Sequence, residues 1–182
     1  QAFGGSDTRG TVGGTNVQQS TSADCPLRIV NLYGAGNGDE ALTDGDVNIT
    51  VSACGEGSEI QNVFGGSYKA NIKGSVTMTI TSGIFASVYG GNEHTDVGMY
   101  SKDTDGEPTV PVSGGLCTVN FGGTATLGVP RTVEQIKAHP VTCYIFGAGK
   151  GDQRIFFNTW TIIREAEVNI TGGRIYGSVF GG

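Results

Sequence analysis

Charge is scarce in this chain, and positive charge most of all. Lysine and arginine number 11 among 182 residues, against 17 aspartates and glutamates, for a net charge of −6. Nucleic-acid binding through phosphates needs a basic patch, and docking on anionic lipid needs a basic surface. The few dispersed cations supply neither, so no nucleic-acid partner is expected. Apolar runs are short as well. None approaches the roughly 20 residues of a membrane-spanning helix, so no membrane insertion is expected. Histidine is limited to His94 and His139, and no cysteine pair has C-x-x-C spacing. That leaves no pattern for a structural zinc site, and no metal or other cofactor is expected. No signal-peptide pattern is visible, which reads as a mature form or an excised piece.

What the chain has in excess is glycine, 32 residues, placed rather than scattered. An aromatic–glycine step recurs at Phe3-Gly4, Tyr33-Gly34, Phe64-Gly65, Tyr89-Gly90, Phe146-Gly147 and Phe180-Gly181, with successive gaps of 30, 31, 25, 57 and 34 residues. Periods in this range mark solenoids, propellers or arrays. The front half of each unit alternates. Val47, Val76, Val119 and Val168 line up, followed two residues on by Ile49, Met78, Phe121 and Ile170. Asn48, Thr50, Thr77, Thr79, Asn120, Asn169 and Thr171 fill the intervening positions, the pattern of a half-buried strand. A second strand carries Ile60, Ile84, Val141 or Ile175, then Val63, Val88, Ile145 or Val179. Blades of a propeller need about four strands in 40 or more residues, so two-strand units fit a coil better. "RIFF" (154–157) and "WTII" (160–163) are candidates for a third short strand. The expectation is an all-β fold, a parallel β-solenoid of the right-handed β-helix type. About five coils, stacked at about 4.8 Å, would make a rod of about 24 Å. The whole of 1–182 reads as one such domain, an excerpt of a longer array, with loop insertions at 92–114 and 124–140. The glycines are expected at corners, where positive φ is needed and a Cβ would meet the next coil.

The pattern V-x-I-x-x-G-x-I-x-x-V-[FY]-G-G resembles the glycine-rich repeat regions of large adhesin-like surface or secreted bacterial proteins, particularly those of gut Bacteroidota. The resemblance runs through most of the chain and implies a parallel β-helix in an extracellular or cell-surface setting. It implies a structural rod whose partner is a host or bacterial surface ligand, protein or glycan, or copies of itself. No catalytic residues travel with it, and the two insertions depart from the pattern. Enzymatic activity is therefore not expected. The alternatives are a carbohydrate-binding or carbohydrate-cleaving β-helix and a self-assembling fibre subunit.

Several constellations suggest chemistry and have plainer readings. "YGAGNGDEALTDGD" (33–46) offers Asp39, Asp44 and Asp46 as oxygen ligands for calcium, but the nine-residue calcium repeat is missing and ordinary Gly/Asp turns suffice. Gly147–Gly151 resembles a phosphate loop around Lys150, yet Gly151 replaces the required Ser or Thr and no helix follows. A lyase or glycosidase would need paired carboxylates or a carboxylate beside a cation, whereas Glu56, Glu59, Asp103, Asp105 and Glu107 sit in expected loops. Thr77, Thr79 and Thr81 hint at an ice-binding face, but neighbouring units carry asparagine. Asn48-Ile49-Thr50 and Asn169-Ile170-Thr171 match the glycosylation sequon, and the repeat already accounts for both. Four cysteines suit two disulfides outside the cell: Cys25 with Cys54 between neighbouring units, and Cys117 with Cys143 across the second insertion. Four free buried thiols are the other reading. "TVEQIKAH" (132–139) reads as a helix in that insertion. The candidate interaction residues are those of the two insertions: His94, Met99 and Tyr100 in the first, Glu134, Lys137 and His139 in the second.

Overall fold

The computed structural model describes residues 1–22, 26–53, 58–106, 108–139, 143–151 and 161–182. The fold is all-β, and its principal sheets are parallel. The first sheet has five strands in the order Glu165–Ile170, Leu116–Phe121, Val76–Ser82, Val47–Ser52 and Thr15–Ser20. The second begins Ala2–Phe3, Arg28–Tyr33, Glu59–Phe64 and Ile84–Tyr89. It then divides: Thr126–Leu127 and Arg174–Ile175 continue its front half, while Tyr144–Phe146 and Ser178–Phe180 continue its back half. A shorter ladder pairs Arg9–Val12 with Glu40–Thr43 and is prolonged by single bridges from Thr43 to Ile72 and from Ile72 to Val97.

Strict alternation explains the first sheet. Side chains two apart share a face, so Val47, Ile49 and Val51 are buried while Asn48 and Thr50 face out. Stacking aligns these positions into inward ladders: Thr15–Val47–Val76–Cys117–Ala166, Val17–Ile49–Met78–Val119–Val168 and Gln19–Val51–Ile80–Phe121–Ile170. Val119 and Val168 therefore share the ladder of Met78 and Ile49, not that of Val76 and Val47 as the repeat pattern suggests. The strand has three inward slots, and a slip of two residues preserves the face, so periodicity alone leaves the register open. In the second sheet Val63, Val88, Ile145 and Val179 form one ladder as expected, and Leu32 joins it. Phe85, not Ile84, pairs with Ile60, and Ile84 is exposed. The alternative residue Val141 lies outside the described residues.

The larger core cluster fills the space between the two sheets, bringing Ile49, Met78, Val119 and Phe121 together with Leu32, Val63, Phe85 and Leu127. A second cluster joins Val47, Val76 and Cys117 to Ile72 and Val97 of the short ladder. Fully burying each such side chain contributes about 1.5–3 kcal/mol.

The anchor aromatics form a continuous column. Phe3, Tyr33, Phe64, Tyr89, Phe146 and Phe180 stack at centroid separations of 4.7, 4.8, 4.9, 5.5 and 4.8 Å, with planes within 10° of parallel. Ring spacing follows strand spacing because each ring occupies one ladder position. The glycine after each ring is set by the same stacking. A Cβ on Gly34 would collide with the Gly65 carbonyl and lie 2.8 Å from Val47 Cγ1; on Gly65 it would collide with the Gly90 carbonyl and lie 2.6 Å from Val76 Cγ1. Neither glycine has positive φ, so close approach alone excludes a side chain there, contrary to the expected corner conformation.

Both insertions are narrower than expected. Asn92, Glu93 and Val97 are buried, which leaves the first projection as an antiparallel hairpin of Met99–Lys102 and Pro108–Ser113. Thr126–Leu127 belongs to the second sheet, so the second projection follows it. Residues 154–157 lie outside the described residues. Residues 161–163 form no strand, although the Ile162 carbonyl accepts the Val97 N–H at 3.0 Å.

Candidate functional site

The hairpin is the first of the two projections. Glycines with positive φ stand at its roots, Gly98 on entry and Gly114 and Gly115 on exit. Its polypeptide turns out of the stack where L side chains would be strained. Tyr100 ties it down by donating its hydroxyl to the Val97 carbonyl at 2.7 Å. Burial, helped by the neighbouring Asp96 carboxylate, pushes the Tyr100 phenol up to about 12. Asp96 itself accepts the Ile162 N–H at 2.8 Å, and burial raises its carboxyl above the usual range. Beyond this anchor, Val110 and Val112 are 60% and 64% exposed and Met99 is exposed beside them.

The second projection carries a helix, Val133–Ala138, closed at its start by a capping box. The Thr132 hydroxyl accepts the Gln135 N–H at 3.3 Å, and the Gln135 side chain accepts the Thr132 N–H at 2.9 Å. Arg131 fastens the other end by donating to the carbonyls of Gln135 and His139 at 2.7 and 2.6 Å. No helical residue is buried. Glu134, Lys137 and His139 are all exposed, together with Val133 and Ile136. Hydrogen bonds to its own backbone and to Thr132 hold the Glu134 carboxyl below its ordinary value.

His94 does not join Met99 and Tyr100 in a surface loop. Its side chain is mostly buried, its ring edge-on to Tyr68 at 4.9 Å and its Nε2 3.7 Å from Glu93 Oε1. Glu93 is the one buried acidic or basic side chain among the described residues, and sequence reasoning passed over it. Tyr33 donates its hydroxyl to Glu93 Oε2 at 2.5 Å, and Lys150 Nζ lies 2.8 Å from Oε1. Asn31 in turn donates to the Tyr33 hydroxyl at 3.3 Å and accepts from Asn62 at 2.8 Å. Burial, then the acceptor Glu93, push the Tyr33 phenol far above its usual range. The network ties together segments 60 and 57 residues apart in sequence. Both carboxylate oxygens are committed to protein partners, an arrangement suited to latching successive repeats together. Lys150, met first in a phosphate-loop-like setting, is its cation. Nothing in the sequence pattern marks Glu93, because its partners lie on other repeats.

Cys117 and Cys143 are free thiols, so the bridge expected across the second insertion does not form. They pack against different core clusters. Burial pushes the Cys117 thiol up to about 12. Cys25 and Cys54 lie outside the described residues. Of the acidic residues considered for calcium, Asp44 pairs with Lys73 at 2.5 Å and Asp46 accepts the Ser75 N–H at 2.8 Å.

Comparison with protein-family models, curated proteins and solved structures finds no match.

Proposed function

We propose that this chain is a length of parallel β-solenoid that serves as a stiff, adhesin-like structural rod outside the cell, with its two projections displayed for binding. One observation carries the reading. Six aromatic rings stack in an unbroken column through parallel ladders, while the two insertions leave that column undisturbed. Regular stacking favours stiffness, because each coil contacts its neighbours throughout. Function on such scaffolds concentrates in loops that the scaffold positions. The hairpin supports the display role best, since Val110, Val112 and Met99 offer apolar contact away from the core. A surface protein or glycan is the proposed ligand class. The carbohydrate-cleaving alternative draws less support, because the buried carboxylate Glu93 is paired on both oxygens.

Binding to panels of host matrix proteins, mucins and bacterial surface glycans tests this. The reading expects a ligand whose binding is lost when Val110 and Val112 are changed to lysine, with melting unchanged. Binding that survives removal of both projections would contradict it.

A further inference from the structure

Latching leaves one property of the Tyr33–Glu93 pair unused. Tyr33 is fully buried, with Phe3 stacked on it at 4.7 Å, Phe64 at 4.8 Å and Tyr68 edge-on at 5.8 Å. Its hydroxyl points at Glu93 Oε2, 2.5 Å away on a carboxylate that is itself buried. A phenol that loses an electron becomes a far stronger acid, so one-electron oxidation is easy only where a base stands ready for the proton. Water serves at a surface; in this interior Glu93 is the positioned base. The surroundings suit both products. Asn31 donates to the same phenol oxygen at 3.3 Å, a hydrogen bond that outlasts loss of the proton. The Lys150 side chain is 41% exposed, so water can take over solvation of its ammonium once Glu93 is neutral. Burial and the acceptor Glu93 push the Tyr33 phenol far above its usual range, so simple ionisation does not spend the donor.

The ring column connects this donor to the surface. Phe64 is stacked between Tyr33 and Tyr89, at 4.8 and 4.9 Å and within 10° of parallel. Tyr89 is partly exposed, as is Tyr68 at the edge of Tyr33. We propose that Tyr33 is a redox site, a buried one-electron donor that restores surface tyrosines struck by one-electron oxidants, with Glu93 as its proton acceptor. The steps balance. The oxidant removes one electron from Tyr89, whose hydroxyl proton goes to water. One electron then passes from Tyr33 through the Phe64 ring to the Tyr89 phenoxyl, which recovers a proton from water. As that electron leaves, the Tyr33 O–H bond breaks and an O–H bond forms on Glu93 Oε2. The oxidant has gained one electron, Tyr33 is a neutral phenoxyl radical and Glu93 a neutral acid. Tyr68 feeds the same donor through its edge contact. Enclosed between Phe3 and Phe64, the Tyr33 radical is shielded from coupling to a second phenoxyl, the reaction that crosslinks exposed tyrosines. The role goes beyond display and does not depend on what the projections bind.

Photogenerated tris(bipyridine)ruthenium(III) is the oxidant that tests it, applied to the full chain and followed by flash photolysis and electron paramagnetic resonance. The native chain should show a surface phenoxyl radical that gives way to a long-lived one, and a water-soluble paramagnetic chelate should fail to relax the latter. Tyr33→Phe should abolish the long-lived radical and increase dityrosine crosslinking. Glu93→Gln keeps an acceptor oxygen but removes the base, and should slow the transfer by roughly a hundredfold, with the fold checked by circular dichroism. A merely structural role for Glu93 would leave that rate unchanged. A native chain with no long-lived shielded radical, a long-lived radical that survives Tyr33→Phe, or a transfer rate unaltered in Glu93→Gln would each overturn the proposal. The first of these is read on the native protein alone and decides the matter even where a variant fails to fold.

Discussion

Changing Gly65 to alanine adds one methyl group and should be among the most damaging small substitutions in the molecule. The new Cβ would overlap the Gly90 carbonyl oxygen and sit 2.6 Å from Val76 Cγ1, where ordinary contact needs 3.4 Å or more. The valine can turn; the carbonyl cannot. The Gly65 N–H is held by the Tyr89 carbonyl at 2.8 Å, and the Gly90 N–H by the Phe146 carbonyl at 2.8 Å. Relief requires parting neighbouring repeats at a point fixed by these bonds and by the ring stack on either side. Overpacking of this kind costs about 1–3 kcal/mol, and each hydrogen bond lost adds about 1 kcal/mol. The sum is about 3–5 kcal/mol, or a fall in Tm of about 6–20 °C for a chain of this size. Urea and thermal unfolding followed by circular dichroism would measure it, with Gly181→Ala, whose Cβ meets nothing, as the matched control. A Gly65→Ala variant within about 0.5 kcal/mol of the parent, the range of an ordinary surface change, would refute the close-approach argument.

Tyr33→Phe removes the donor to Glu93 Oε2 while keeping the ring in its column, and should cost about 1–3 kcal/mol in urea unfolding. Phe64→Ala opens the column at a fully buried ring and should cost about 3–5 kcal/mol by the same assay. Stability should fall on the alkaline side. The Cys117 and Tyr100 acids are raised in the folded state, to about 12 in each case from 9.0 and 10.0. The unfolded chain therefore loses those protons first. The Cys117 contribution is complete below about pH 9 and declines above it by about 1.4 kcal/mol per pH unit; the partly exposed Tyr100 adds a smaller decline that begins only above about pH 10. Replacing Cys117 with alanine should flatten the early part of that decline. In the native protein a thiol reagent should modify Cys143, which is partly exposed, ahead of buried Cys117, as read by peptide mass.

The repeat was legible because stacking imposes it chemically. An aromatic followed by glycine marks a ring column and a carbonyl that tolerates no Cβ, and alternation marks which face is inward. Register was less legible, as Val119 shows. Its period-2 neighbours Cys117 and Phe121 are equally acceptable inward residues, so only the assembled sheet selects among them. Phe85 displaced Ile84 for a related reason, since both are apolar and adjacent. A short third strand was expected at 154–157 or 160–163, and the observed ladder was not legible because Ile72 and Val97 contribute one bridged residue each, too little for a periodic signal. Glu93 was invisible because its partners Tyr33 and Lys150 are brought to it only by stacking. The helix was plain, since Thr132 and Gln135 make a capping box that needs no tertiary context.

The most direct test of the account is a spin-label distance between cysteines placed at Asn16 and Glu167, with the native cysteines replaced. These outward positions end the ladder Asn16–Asn48–Thr77–Thr118–Glu167. Four strand steps of about 4.8 Å put their backbones about 19 Å apart, so a single narrow distribution near that value, widened only by the label linkers, is predicted for the monomer. A much longer or broad distribution would contradict the stacked parallel ladders on which the fold and the proposed rod both depend.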